Sequence, residues 1–247
     1  MDKREEREMA QTNPETSEMS ALGRLTGIFT SPRQVFQSID RKPTWLVPFL
    51  VTCVIAIALQ FLLMDIGMKD QLARMGRQDI PAEQMEQIEA RMQGPMKYLG
   101  IPFIPIGTLV VWAVVGGLLL LGSNSILGGN TTFKKMFSLV AWTSLIGIVG
   151  GILKSVLIYM KGTTRGVTTS LATLLPTPEV GETPGILYRL LSKLDIFTIW
   201  QLILWIIGLS VINKFDNKKS ASLVIGLWII WIVLSVALGG LFSRFTG

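Results

Sequence analysis

A chain of 247 residues offers length for one or two ordinary soluble domains, yet 49% of it is hydrophobic and its mean hydropathy is +0.49, too apolar for a water-facing surface. Histidine is absent and Cys53 is the sole cysteine, which excludes a Cys/His zinc site, a Ser-His-Asp triad and an internal disulfide. The formal charge of +6 is carried singly or in pairs at the ends of apolar runs, which is the pattern of membrane topology and not of a nucleic-acid patch.

Residues 1–20 are polar and charge-balanced and read as a disordered cytoplasmic arm. The opening Met1-Asp2-Lys3-Arg4-Glu5-Glu6-Arg7-Glu8 leads into no apolar core, so no cleavable signal peptide is expected and the first apolar segment directs insertion. Residues 21–44 change character. Leu22, Leu25, Ile28 and Phe29 recur at helical spacing, Ser31-Pro32 reads as an N-cap followed by proline at the first helical position, and Val35, Phe36 and Ile39 form a second apolar stripe. The pattern predicts one or two amphipathic helices, lying along the cytoplasmic face of the membrane or packed against the helices that follow.

Residues 45–242 form the membrane domain. A hydrocarbon core about 30 Å thick needs roughly 20 apolar residues in a helix, because only a helix or a closed barrel satisfies its own backbone hydrogen bonds in lipid. Five stretches qualify, at 45–64, 100–122, 136–159, 196–212 and 221–242, and their continuous Leu, Ile and Val runs lack the alternation of barrel strands. The expected fold is therefore an all-α, five-span membrane bundle with an amphipathic N-terminal interfacial helix. Cys53, inside Val51-Thr52-Cys53-Val54-Ile55, reads as a small packing group.

The short connections are basic: Lys134 and Lys135 follow span two, and Lys214, Lys218 and Lys219 oppose only Asp216 after span four. With Arg33, Arg41 and Lys42 ahead of span one, the positive-inside rule places the N-terminus in the cytoplasm and the C-terminus outside. Of the long connections, the first carries a helix pattern between Pro81 and Gly94-Pro95, with Met85, Ile88 and Met92 on one face. Met64, Met68, Met75, Met85, Met92 and Met96 raise a copper(I) site, since thioethers are soft ligands, but the spacing also fits an ordinary amphipathic stripe and no Cys or His supports a metal. In the second, Ile186-Leu187-Tyr188-Arg189-Leu190-Leu191 reads as a short interfacial helix.

No catalytic residue, cofactor or metal set is expected. Ionisable and polar groups at membrane depth are the default functional suspects, which here means Lys154, Asp195, Gln60 and Gln201. Lys154 is close enough to the end of span three to snorkel, Asp195 suits a cap at the start of span four, and the two pair if those spans adjoin. Gln60 and Gln201 suit interhelical hydrogen bonds. Small residues four apart, Gly147 and Gly151 on span three and Ala113 and Gly117 on span two, predict close helix approach.

The order of these pieces resembles the Yip1 family of five-span membrane proteins, especially its bacterial branch. The residues that carry it are Ser31-Pro32-Arg33-Gln34-Val35-Phe36, then Gly128-Gly129, Phe133 and Ala141-Trp142, then Ser170-Leu171-Ala172 with Leu174-Leu175-Pro176, and Leu194-Asp195-Ile196-Phe197-Thr198-Ile199-Trp200. A basic short loop and a Trp-rich last span complete it. The resemblance implies a cytoplasmic N-terminus and an extracytoplasmic or lumenal C-terminus. For eukaryotic members it implies vesicle traffic with Rab GTPases, but the Asp-Leu-Tyr-Gly-Pro motif of that branch is missing here, so GTPase binding is not carried across.

These features favour a non-enzymatic protein of the cell (inner) membrane, or of ER/Golgi membranes in a eukaryote, that organises or adapts other components through the bilayer, membrane-protein partners or copies of itself. The alternative is a small-solute or ion permease, which requires the polar groups to converge on one cavity. A reporter fused after Gly247 is expected to be active only outside the cytoplasm; a cytoplasmic signal contradicts the assigned orientation and the five-span count.

Overall fold

The computed structural model describes residues 19–76, 80–179, 182 and 184–245. Of the polar arm expected over residues 1–20, all but Met19 and Ser20 lies outside the described residues. Among the described residues nine α-helices run α1 (Ala21–Thr30), α2 (Pro32–Arg41), α3 (Leu46–Met75), α4 (Ala82–Gln93), α5 (Phe103–Leu121), α6 (Phe133–Lys161), α7 (Ile186–Leu191), α8 (Ile196–Asn213) and α9 (Asn217–Phe245), and no strand is present. Five of them, α3, α5, α6, α8 and α9, are long and apolar enough to cross a membrane, and the five expected spans fall on them in order. The helices expected in the two long connections are α4 and α7.

Alternating direction gives the bundle two ends. The near face carries α1, α2 and the short α5–α6 and α8–α9 connections; the far face carries the long connections with α4 and α7. At 30 residues α3 is about 45 Å long, more than a hydrocarbon core requires, so its charged last turns project beyond the far face. There the Asp70 carboxylate accepts bonds from the Thr164 backbone N–H (2.6 Å) and the Thr163 and Thr164 hydroxyls, tying α3 to the end of α6.

The centre is α6. Buried residues make up 61% of its spanning window, against 33% or less in the other four spans. Met136, Leu139, Ala141, Trp142 and Ile146 are fully buried, and α3, α5 and α8 pack around α6, while α9 packs mainly against α8. Where α3, α5 and α6 meet, Trp45, Phe49, Trp112 and Phe137 close a cycle of edge-to-face ring contacts, with centroids 5.6 to 6.1 Å apart. The outer faces of α5 and α9 stay apolar and open, with Val110, Val114, Ile229 and Leu234 all more than half exposed. Such surfaces meet lipid.

Close approach on α5 and α6 uses glycines one position before the expected ones. A Cβ on Gly116 would lie 3.3 Å from the Phe137 backbone, and one on Gly150 would lie 2.7 Å from the Phe197 ring. At Gly117 and Gly147 it would meet nothing within 4 Å, and at Gly151 only Leu59 at 3.9 Å; Ala113 is half-buried. One residue is a 100° turn of the helix, so a correct spacing points to the wrong face when the packing side of an all-apolar span is not marked. The Ser31-Pro32 junction also differs in detail. Proline occupies the first position of α2, but the Ser31 side chain makes no capping bond, whereas Ser20 caps α1 through the Gly23 N–H at 3.1 Å.

Gly150→Ala is expected to lower the stability of the purified protein by about 1–3 kcal/mol through overpacking. Gly147→Ala, in open space on the same helix, should leave the melting temperature unchanged or slightly raised. Equal losses at both positions contradict this packing.

Candidate functional site

The four suspected intramembrane groups do not gather. Asp195 is the N-cap of α8: Oδ1 accepts from the backbone N–H of Phe197 (2.8 Å) and of Thr198 (3.3 Å), and Oδ2 accepts from the Thr169 hydroxyl. A bond from the Leu171 N–H to the Leu194 carbonyl (3.0 Å) holds the 169–172 segment beside it, so this carboxylate anchors the second long connection. Lys154 is exposed on α6 and makes no ion pair among the described residues, so the pairing with Asp195 is not formed. Gln201 is half-buried on α8.

Gln60 lines an open far-face cleft of about 640 Å³ between α3 and α4. Met64 and Met68 form its apolar floor together with Met92 from α4, while Arg91, Lys97 and Gln71 supply polar groups. Three methionines of the copper(I) stripe therefore share this cleft. Two cationic side chains in the same lining make it a poor host for a soft cation.

The near face holds a denser constellation, most of which the sequence reading passed over. Arg24 on α1 is 3% exposed, although arginine is seldom buried without partners. Its Nη1 donates to Thr44 Oγ1 (2.6 Å) and the Lys42 carbonyl (3.1 Å), and its Nη2 donates to Ser38 Oγ (2.7 Å). One guanidinium thus ties α1 to α2 and to the strap entering α3. The Thr44 carbonyl in turn accepts from Trp142 Nε1 at 2.7 Å, and Trp142 is wholly buried at the middle of the bundle. One position on, Thr143 accepts from Trp205 Nε1 at 2.8 Å and so links α6 to α8. An ion pair between Lys135 and Asp40 (2.5 Å) pins the end of α2 to the start of α6.

These bonds explain where the amphipathic N-terminal segment goes. Val35, Phe36 and Ile39 are fully buried, with Phe36 and Ile39 among the largest enclosed side chains, so the α2 stripe packs into the bundle at α8 and α6. On α1, Ile28 is buried while Leu22 remains 71% exposed, which leaves an apolar edge for the membrane interface. The signal for Arg24 was present in the sequence: it falls four residues before Ile28, on the stripe that the apolar spacing marks as buried. A cation on that stripe requires partners.

Next to this lock, α2 and the α8–α9 turn enclose a second open cleft of about 590 Å³, lined by Arg33, Gln37 and Arg41 on one side and Ser210 and Lys214 on the other. Replacing Arg24 with Ala is expected to free α1 and α2 from the bundle while the five spans persist. In hydrogen exchange, residues 21–41 should lose protection and the α6 core should keep it; unchanged protection of α2 contradicts the lock.

Comparison with known proteins accords with this architecture. A family model, the Yip1 domain, matches residues 26–239. The chain is similar to the membrane protein YknW of Bacillus subtilis (strain 168), at 29% identity over 238 residues, 91% of this chain and 96% of that protein. No solved structure matches. The family match begins inside α1, two residues after Arg24, and ends inside α9, so it takes in the end of α1 and all of α2 as well as the spans, and the chain belongs to the Yip1 family of membrane proteins.

Proposed function

We propose that the chain is a non-enzymatic membrane adaptor, which organises other membrane components through protein or lipid partners from the cell membrane, with its near face in the cytoplasm. The observation that supports this reading is the distribution of polarity. Charged side chains line open clefts at the two faces, while the largest enclosed side chains, among them Leu119, Leu139, Trp142, Ile146, Leu204 and Leu209, are apolar and at most 1% exposed. A permease needs polar groups along one continuous path. Gln60 opens to the far face, Asp195 is spent on a helix cap and Lys154 is exposed, an arrangement that favours surface contact over conduction.

Partners within the membrane would meet the open apolar faces of α5 and α9, where packing and shape drive association. A photoreactive amino acid at Val114 or Leu234, used in the native membrane, is expected to capture the same identified membrane protein, or a second copy of this chain, in repeated experiments. Lys154→Ala and Gln60→Ala should leave solute uptake and membrane potential unchanged. Absence of any reproducible crosslink together with altered uptake in either variant favours the permease.

A further inference from the structure

We infer that the near-face cleft between α2 and the α8–α9 turn binds the phosphate headgroup of an anionic phospholipid. This inference does not depend on the adaptor reading. The first support is the build of α2. Its apolar face is buried in the bundle, and that burial turns the opposite face, with Arg33, Gln37 and Arg41 spaced four residues apart, into one wall of the cleft. Lys214 stands on the other wall. The carboxylate in the lining, Asp40, is already engaged by Lys135 at 2.5 Å, and the exposed Asp216 on the turn is outside the lining. Three cations thus share the cleft with a single carboxylate that is offset by a fourth, Lys135. Arginine forks are well matched to phosphate oxygens.

The second support is the backbone of Lys214. It ends α8 in the left-handed conformation (φ 56°, ψ 34°), and it is the one non-glycine residue with positive φ among those described. Glycine is the usual occupant of that position, since a side chain there carries a conformational cost. A cation at a helix C-terminus recovers part of the cost from the helix dipole. Keeping a lysine where glycine fits best points to a use for the ammonium group.

A third observation selects a lipid over a soluble anion. Ile199, Ile203 and Ile207 recur along α8 on the face that ends in Ser210 and Lys214, and Ile199 and Ile203 are 44% and 48% exposed. Ile207 also lines the pocket that adjoins the cleft and shares Arg33 and Gln37 with it. An acyl chain lying on this track brings its phosphate to the cleft. At 18 residues α8 is about 27 Å long, close to the hydrocarbon thickness, so its last residue reaches headgroup level.

The test is native mass spectrometry of the purified full chain in detergent, titrated with phosphatidylglycerol or with phosphatidylcholine at constant ionic strength. The inference predicts preferential retention of phosphatidylglycerol. Lys214→Gly should reduce that preference about fivefold, the scale of one basic residue at an anionic surface, with the melting temperature unchanged or raised. Arg33→Gln combined with Arg41→Gln should remove the preference, whereas Lys218→Gln, in the first turn of α9 and outside the lining, should preserve it. The inference is overturned if Lys214→Gly retains the full preference. It is also overturned if Lys218→Gln lowers it as much, which would mean diffuse attraction to a basic face, or if inorganic phosphate alone binds the chain as tightly as phosphatidylglycerol does, which would mean a site for a soluble anion.

Discussion

In lipid a helix gains nothing by hiding apolar side chains from its surroundings, because the surroundings are as apolar as the neighbouring helix. The central burial of α6, the most enclosed of the five spans, must therefore rest on fit, on ring contacts and on a few hydrogen bonds that hydrocarbon cannot supply. Gly116 and Gly150 let neighbouring elements approach α6 closely, and the four-ring cycle fills the junction of α3, α5 and α6. Trp142 and Thr143 then make directional bonds from adjacent positions on α6, one toward the strap ahead of α3 and the other toward α8. With these contacts in place the positions of α3, α5 and α8 follow, and α9 packs in turn against α8.

The N-terminal helices depend on the same centre. Trp142 fixes Thr44, Thr44 and its neighbours fix Arg24, and Arg24 fixes α1 against α2. Burying a guanidinium is costly unless its donors are satisfied, and a half-satisfied set would be worse than none. The arrangement is thus close to all-or-none: α1 and α2 are part of the membrane domain or they are not docked. Their docking in turn creates the near-face cleft, since the wall bearing Arg33 and Arg41 exists only while the opposite face of α2 is buried.

Much of the fold was legible in the residues. The lengths of the apolar runs give the five spans, proline and glycine punctuation gives α4, and the apolar spacing gives α1 and α2, because each of these is a local property of the chain. What could not be read was rotation. Spans that are apolar all round do not show which face packs, so Gly117 and Gly147 looked as suitable as Gly116 and Gly150. Polar residues near span ends were over-weighted for a related reason: the sequence shows Asp195 as a charge near a membrane, and only the fold shows it occupied by two backbone N–H groups and a threonine. Arg24 was the opposite case, a single residue at odds with the stripe it sits on, and it proved to be the centre of the near-face lock.

Helices α1 and α2 are a fixed part of the bundle, hung on α6. That placement is tested most directly by a distance measured in a bilayer. Spin labels at Gln34 on α2 and Lys134 at the start of α6, both exposed, can be introduced in a Cys53→Ala background and read by pulsed electron–electron resonance. A single narrow distance distribution is expected. A broad or two-peaked distribution would contradict it, showing that the N-terminal helices leave the bundle in the membrane.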